Sequence, residues 1–233
     1  MFTNSADLYD VIYSFKDYAS EAKALHALIQ KHSSGAKTLL DVACGTGMHM
    51  AALSAYYEVD GLDLQPELLA FARERNPSAT IYEADMREFQ LDGTYDVVTC
   101  LFSSIGYVQT LRGLSQAIET MAKHLAAGGL LIVEPWFTPG PDFIDGHVGR
   151  VTAETDTMKI ARINNTRVVG RLSVLNFGYL VGEADGVRHF AETHTMGLFT
   201  HEEQLDTFRE NGLTVTHDAE GLTGRGLFIG RKL

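Results

Sequence analysis

Apolar positions change their spacing several times along the chain, and each change marks the border of an element. Over residues 18–32, Ala19, Ala22, Leu25, Ala27, Leu28 and Ile29 recur at helical spacing and stop at Ser33-Ser-Gly35, which predicts an amphipathic helix. Residues 38–43 are apolar almost throughout and have the length of a strand. Gly45-Thr-Gly47 then turns the chain into a helix predicted from Met48 to about Tyr57, and a short strand follows over 59–62. Pro66 suits the first turn of the next helix, which runs over 67–76 and is stopped by Pro77. Short strands are predicted at 80–82 and 95–101, a helix at 111–125 ended by Ala126-Ala-Gly-Gly129, and an apolar strand at 130–134. Strands that are apolar along their whole length and alternate with helices predict a parallel sheet covered on both faces.

The texture changes after Pro135. Between residues 150 and 199, polar residues alternate with Val151, Ile160, Ile163, Val168, Leu172, Val174, Phe177 and Tyr179, and the pairs Asn164-Asn165 and Asp185-Gly186 read as turns. This predicts an antiparallel sheet of three to five short strands inserted into the α/β core. The core resumes at Thr200, an N-cap with Glu203 three residues on, in the capping-box spacing that opens a helix to about Asn211-Gly212. Two last strands are predicted at 213–217 and 226–230. The expected organisation is a core made of residues 1–136 and 200–233, with residues 137–199 as the inserted sheet on the substrate side.

Composition narrows the function. Among 233 residues, 19 Lys+Arg against 30 Asp+Glu give a formal charge of −11, which argues against nonspecific nucleic-acid binding because counterion release needs clustered Lys and Arg. A small anion remains possible, since one Arg or a few backbone amides can overcome the global field locally. The two cysteines, Cys44 and Cys100, have no ligand-like spacing, so neither a zinc site nor a disulfide is expected and a reducing cytoplasm is the expected compartment. The histidines form no metal-like pair, and no metal is expected. No long apolar run marks a secretory signal or a membrane span, so a soluble protein is expected.

The chemistry-bearing residues sit where successive predicted strands end. A strand that closes in Gly-x-Gly and opens a helix lets backbone approach a ligand closely. Asp63, at the end of the second strand, is placed to accept both hydroxyls of a ribose. Asp85 ends the third strand, where its carboxylate and the apolar Met86 can bracket an adenine. Each aspartate could instead cap the helix that follows, but three such features at three strand ends favour a nucleoside ligand. A dinucleotide fingerprint would place a third Gly at position 50, which is Met50 here.

The segment Asp-Val-Ala-Cys-Gly-Thr-Gly ending at Gly47 resembles motif I of the class I S-adenosylmethionine-dependent methyltransferases. The segments Leu8-Tyr-Asp10, Lys16-Asp-Tyr18, Gly61-Leu-Asp-Leu64, Asp85-Met-Arg87, Phe102-Ser-Ser-Ile-Gly-Tyr107, Val133-Glu-Pro-Trp136, Val187-Arg-His-Phe190 and Gly224-Arg-Gly-Leu-Phe228 resemble the TDP-aminosugar N,N-dimethyltransferases that serve desosamine and mycaminose biosynthesis. The resemblance implies an α/β fold with a Rossmann-like, seven-stranded, mostly parallel sheet and an inserted antiparallel sheet. It implies S-adenosylmethionine as cofactor, a nucleotide-linked aminosugar as acceptor, and a homodimer formed through the insertion. By that similarity Tyr9 and Tyr18 close an N-terminal lid, and Ala43, Gly45, Asp63, Leu64, Asp85, Met86 and Leu101 hold the cofactor.

On the acceptor side, Tyr107 and Glu134 are expected to face the amine and orient it, with Ser104, Trp136 and Tyr179 beside the substrate and Arg225 on its diphosphate. The residues leave alternatives open. Glu134 could instead bind loop amides, Tyr107 and Trp136 could be core rings, and Arg225 a surface side chain. His49 is expected to be polar packing near the site. Departures from the family pattern fall on the acceptor side: Phe2 where a tyrosine is expected, and Phe137 where a second tryptophan is expected. The rival readings are methylation of another small acceptor at nitrogen or oxygen, and a noncatalytic domain that only binds the cofactor.

Overall fold

The computed structural model describes residues 5–140 and 145–233, and Phe2 lies outside them. A 3₁₀ turn at Ala6–Leu8 runs into a one-turn helix, α1 (Tyr9–Ile12). Helix α2 (Tyr18–His32) starts where the Asp17 carboxylate accepts the Ser20 amide and ends with Lys31 in its last turn, matching the helix dipole at each end. Then come β1 (Thr38–Val42), α3 (Met48–Leu53), β2 (Glu58–Asp63), α4 (Pro66–Arg75), β3 (Ile81–Glu83) and β4 (Tyr95–Cys100). A 3₁₀ turn at Ser104–Val108 precedes α5 (Leu111–Lys123) and β5 (Leu125–Val133). The insertion contributes β6 (Val148–Glu154), β7 (Lys159–Val169), β8 (Leu172–Glu183) and β9 (Gly186–Gly197), after which α6 (His201–Glu210), β10 (Leu213–Asp218) and β11 (Leu227–Lys232) complete the chain.

The larger sheet has the order β10-β11-β5-β4-β1-β2-β3, parallel except for β11, which runs antiparallel to both of its neighbours. Its pleat divides the apolar strands between two cores. Leu39, Val97, Leu130 and Ile132 join α2 and α3 through Leu25, Ile29, Met50 and Leu53. Their neighbours Leu40, Val98, Leu131 and Val133 point the other way, onto α5 and α6 through Leu114, Ile118, Met121 and Phe208. Continuous apolarity along each strand is what burial on both faces requires. Thr200 and Glu203 form the expected capping box, each side chain accepting from the other's backbone amide at 3.2 and 2.8 Å.

The second sheet, β6-β7-β8-β9, is antiparallel throughout. Its strands reach 12 residues, longer than expected. Along β8 the alternation is regular, with Ser173, Leu175, Phe177, Tyr179 and Val181 buried and the residues between them more open. The buried face receives Leu8 and Ile12 of the N-terminal segment, so residues far apart in sequence share one apolar cluster.

Three expectations are corrected here. Asn164-Asn165 is not a turn but the middle of β7, where Asn165 accepts from Asn176 Nδ2 across the strand pair at 3.2 Å, and the turn falls instead at Gly170-Arg171 with Gly170 at φ 61°. Ala126-Ala-Gly-Gly129 does not separate α5 from the next strand. It lies inside β5, where Leu125 pairs with Tyr95, the register shifts between Tyr95 and Val97, and Gly128 takes φ 75°. Helix α3 also stops at Leu53, short of Tyr57, with Tyr57 turned into the core behind it.

Candidate active site

Three cavities adjoin at the C-terminal ends of β1, β2 and β4. The first, about 110 Å³, is walled by Ala43, Gly45, Asp63, Leu64, Asp85 and Met86 among others. A second, narrower one lies between Tyr18, Asp41, Thr46, His49 and Leu101. The third, about 490 Å³, opens toward the inserted sheet between Tyr13, Lys16, Trp136, Arg162, Phe177, His194 and Arg225. Tyr9 and Ser104 border all three, while Tyr107 borders the first and third, so the three form one cleft with a shared junction.

The glycine loop leaves β1 with Ala43 at φ 60°, Gly45 at φ 57° and Gly47 at φ 75°. A Cβ on Gly45 would meet nothing within 4 Å, so the backbone there borders open space, whereas one on Gly47 would lie 2.5 Å from Asn76 Nδ2. Gly47 is thus demanded by packing and Gly45 leaves room for a ligand. The missing third glycine is explained by β2: Met50 packs on Gly61, where a Cβ would meet the Met50 sulfur at 2.4 Å, so the close helix–strand approach is made with the glycine on the strand.

Asp63 is buried and accepts the Gly45 amide on Oδ2 and the Gln65 amide on Oδ1, each at 2.9 Å. Burial raises its pKa while those amides lower it. Asp63 lines the first cavity, and an ionised carboxylate has about four acceptor sites, more than its amide partners use, which is what the donating hydroxyls of a ribose need. Asp85 is held by Arg87 through Nε at 3.0 Å and Nη2 at 2.5 Å, and these hydrogen bonds lower its pKa. Asp41, which borders the second cavity and accepts Thr99 Oγ1 at 2.8 Å, is pushed up to about 6 by burial.

The N-terminal segment closes over this loop. Asp10 accepts Thr46 Oγ1 and Arg75 Nη2, both at 2.6 Å, and Arg75 Nη1 also reaches the Thr46 carbonyl. Lys16 pairs with Glu21 at 2.7 Å and lies 4.1 Å from the Phe102 ring centroid. His49 meets the other Glu21 oxygen at 2.7 Å and Tyr18 edge-on at 4.8 Å, as polar packing beside the cleft.

Sequence reasoning placed most of its residues on this cleft, with two exceptions. Glu134 is fully buried and is not among the side chains that wall the three cavities; its Oε2 accepts the Phe102 amide at 2.7 Å and its Oε1 accepts Thr223 Oγ1 and, at 3.2 Å, Arg225 Nη2. Tyr179 likewise lies off the cavity walls, stacked on Phe190 at 4.6 Å. Arg225 does face the third cavity, but tied to Glu134. Arg162, Phe177 and His194 were missed because alternation in β7 to β9 marks them only as sheet residues, and Tyr13 and Lys16 because they lie in the short segment between α1 and α2, which carries no periodic signal. Arg162 is the most informative: it is buried, stacks on Phe177 at 4.7 Å, donates Nη1 to Tyr13 Oη at 3.0 Å, and its Nε meets no acceptor among the described residues.

The sheet order and the cleft at its strand ends are those of a class I methyltransferase. Residues 39–129 match a family model described as a methyltransferase domain. A dTDP-3-amino-3,6-dideoxy-alpha-D-glucopyranose N,N-dimethyltransferase from Streptomyces fradiae is 41% identical over 97% of this chain and 89% of the relative. A dTDP-3-amino-3,4,6-trideoxy-alpha-D-glucopyranose N,N-dimethyltransferase from Streptomyces venezuelae is 38% identical over 97% and 96%. Among solved structures, DesVI of Streptomyces venezuelae superposes with TM-score 0.94 at 36% identity, covering 99% of both chains. An amino pentose methyltransferase from Micromonospora echinaspora, solved with S-adenosylmethionine bound, superposes with TM-score 0.88 at 36% identity over 97% of both. The chain belongs to the dTDP-aminosugar N,N-dimethyltransferase family of S-adenosylmethionine-dependent methyltransferases. It is an enzyme, and its cofactor is S-adenosylmethionine, which the open backbone at Gly45 and the spare lone pairs of Asp63 fit.

Two predictions follow from these carboxylates. Asp63→Ala should weaken S-adenosylmethionine binding by about 1.5–3 kcal/mol, the scale of hydrogen bonds to a charged group; unchanged affinity by calorimetry would exclude the ribose role. For Asp41, a folded-state pKa raised to about 6 means that the native protein binds the extra proton between about pH 4 and 6, so this group's contribution to stability falls as pH rises through that window. Asp41→Asn should therefore gain on the parent by up to about 3 kcal/mol at pH 7 and by much less at pH 4. Urea unfolding of both proteins at the two pH values measures the difference, and an equal gap at both would refute it.

Proposed function

We propose that this enzyme N-methylates the amino group of a dTDP-linked deoxyaminosugar and adds two methyl groups. The observation that carries this reading is that the similarity to the named sugar N,N-dimethyltransferases runs over nearly the whole chain and includes the inserted sheet, which supplies Arg162, Phe177 and His194 to the third cavity. Within that cavity a guanidinium fork at Arg162 suits a diphosphate, and Arg225 adds a second cationic group to its wall. Trp136 presents a ring for a base or sugar face, with its Nε1 lacking an acceptor among the described residues. Residues 137–199 thus form the acceptor half in this reading.

The bound cofactor supplies an electrophilic methyl group on a sulfonium. The protein's part is to hold the acceptor nitrogen at that methyl with its lone pair free, and holding two reactants in near-attack geometry can remove about 7–11 kcal/mol of barrier. Tyr107, at the junction of the nucleoside and acceptor cavities, is placed to orient the nitrogen. Burial raises its pKa well above the usual phenol range, so it acts as a neutral hydroxyl. Glu134 acts at one remove, by holding Phe102 and Arg225.

Mass spectrometry of a reaction with S-adenosylmethionine and a dTDP-3-amino-deoxysugar should show two successive methyl additions; cofactor binding without methyl transfer to any aminosugar would refute the proposal. Arg162→Lys should raise KM for the nucleotide sugar about ten- to a hundredfold while leaving cofactor affinity unchanged. Methylation of a free amine with equal efficiency would instead favour another small acceptor.

The inserted sheet also carries a proposed homodimer contact. Its outward face exposes Val148, Ile163, Leu180 and Val187, each more than half exposed in the single chain. Sedimentation should give a dimer, and Ile163→Glu with Leu180→Glu should shift it to monomer; an unchanged monomeric parent would end that idea. No helix among the described residues is long and apolar enough to cross a membrane, and both cysteines are free and buried, in keeping with a proposed place in the reducing cytoplasm.

A further inference from the structure

Behind Tyr107 lies a second line of polar groups, all drawn from outside the glycine-loop half of the molecule. The Tyr107 hydroxyl is 2.6 Å from His194 Nδ1, and His194 Nε2 is 3.6 Å from Glu192 Oε2. Ser5 donates its hydroxyl to that same Glu192 oxygen at 2.6 Å. His194 and Glu192 are both buried, on the inner face of β9, and the Phe177 ring meets the imidazole edge-on at 5.0 Å. A histidine and a carboxylate placed together under an apolar sheet need a reason, because burying them costs free energy unless each is well partnered.

The placing of the charge supplies one. At 3.6 Å His194 Nε2 is too far from Glu192 for a hydrogen bond, but the carboxylate's negative charge favours the tautomer whose N–H faces it, so Nε2 carries the proton. A neutral imidazole has a single N–H, which leaves Nδ1 with a lone pair. Tyr107 must then donate its hydroxyl to His194, and both phenol lone pairs remain for the cleft. We propose that Glu192 and His194 are positioning residues that fix Tyr107 as a hydrogen-bond acceptor toward the substrate amine. The burial of His194 holds its pKa down, to about 4, so the imidazole is neutral at ordinary pH and the single-proton argument applies.

The polarity matters for nitrogen chemistry. A neutral amine has one lone pair and must keep it for the methyl group. A tyrosine that donated to the nitrogen would occupy that lone pair and block transfer. A tyrosine that accepts an N–H instead turns the lone pair away from itself and leaves it free. The first transfer leaves a methylammonium that must release a proton to solvent before it can react again, and the same arrangement then serves the secondary amine as it served the primary one, since both still carry an N–H. A tertiary amine has none, so it loses this contact. The acceptor polarity of Tyr107 thus gives a physical reason for methylation to halt at the dimethyl stage.

This inference rests on the proposed placing of Tyr107 against the acceptor nitrogen, and the experiment separates the two. In protein labelled with ¹⁵N-histidine, His194 is assigned by its loss in His194→Asn, and its shifts should show a protonated Nε2 and an unprotonated Nδ1. A protonated Nδ1 would overturn the proposal whatever the activity. In Glu192→Gln the preference for that tautomer should fade. Kinetically, Tyr107→Phe and His194→Leu should each lower kcat about tenfold or more with unchanged cofactor affinity, and the double variant should be no worse than Tyr107→Phe alone. His194→Asn, whose side-chain oxygen can still accept from Tyr107, should recover most of kcat. Additive losses, or a His194→Asn no better than His194→Leu, would assign His194 a merely structural part and overturn the proposal. Full activity in Tyr107→Phe would refute the placing of Tyr107 instead, with the tautomer measurement still judging Glu192 and His194.

Discussion

A single fully buried carboxylate, Glu134 at the end of β5, sets the geometry on which the cleft depends. One oxygen holds the Phe102 amide just beyond β4, and the other holds Thr223 and Arg225 from the loop between β10 and β11. Phe102 and Ser103 both occupy the left-handed region, at φ 52° and 63°, a conformation that costs non-glycine residues about 1–3 kcal/mol each and persists only where its surroundings enforce it. The carboxylate and the bond from Ser103 Oγ to the Pro135 carbonyl, at 2.7 Å, are that enforcement. Their result is the 3₁₀ turn that carries Ser104 to the junction of all three cavities and Tyr107 to the border of the first and third.

The two halves of the cleft are built by different physical means. The cofactor half is made of backbone at parallel strand ends, where positive-φ positions open the main chain and Asp63 ties the Gly45 amide of the glycine loop to the Gln65 amide at the start of α4. Its geometry is therefore inherited from the sheet. The half proposed for the acceptor is made of side chains projecting from a long antiparallel sheet, with aromatic rings, the buried Arg162 and the imidazole of His194 spaced by the two-residue period of the strands. The short N-terminal segment joins the halves, because α1 buries Ile12 against the inserted sheet while Asp10 reaches Thr46 in the glycine loop.

The overall charge of −11 is compatible with an anionic acceptor because the distribution is uneven. Lys16, Arg162 and Arg225 all border the large cavity. Lys16 and Arg225 are balanced by Glu21 and Glu134, so the field there comes from groups held in place by neighbours rather than from an excess of surface lysines.

The alternation of apolar strands and helices, the glycine loop, the capping box at Thr200 and the aspartates at the strand ends were legible from the chain alone. Each is a local pattern: period, turn chemistry and capping act within a few residues, and a buried parallel strand must be apolar along its length. The same logic failed at Asn164-Asn165 and at Ala126 to Gly129, where cross-strand pairing and a shifted register outweighed turn-forming residues. Only the tertiary structure decided what Glu134 does, that Arg225 is tied to it, and that Ser5, Glu192, His194 and Tyr107 form one line, in which Ser5 and Glu192 are 187 positions apart. A hydrogen bond between distant segments leaves no period in the sequence, because it depends on where two chains cross and which way each side chain then faces.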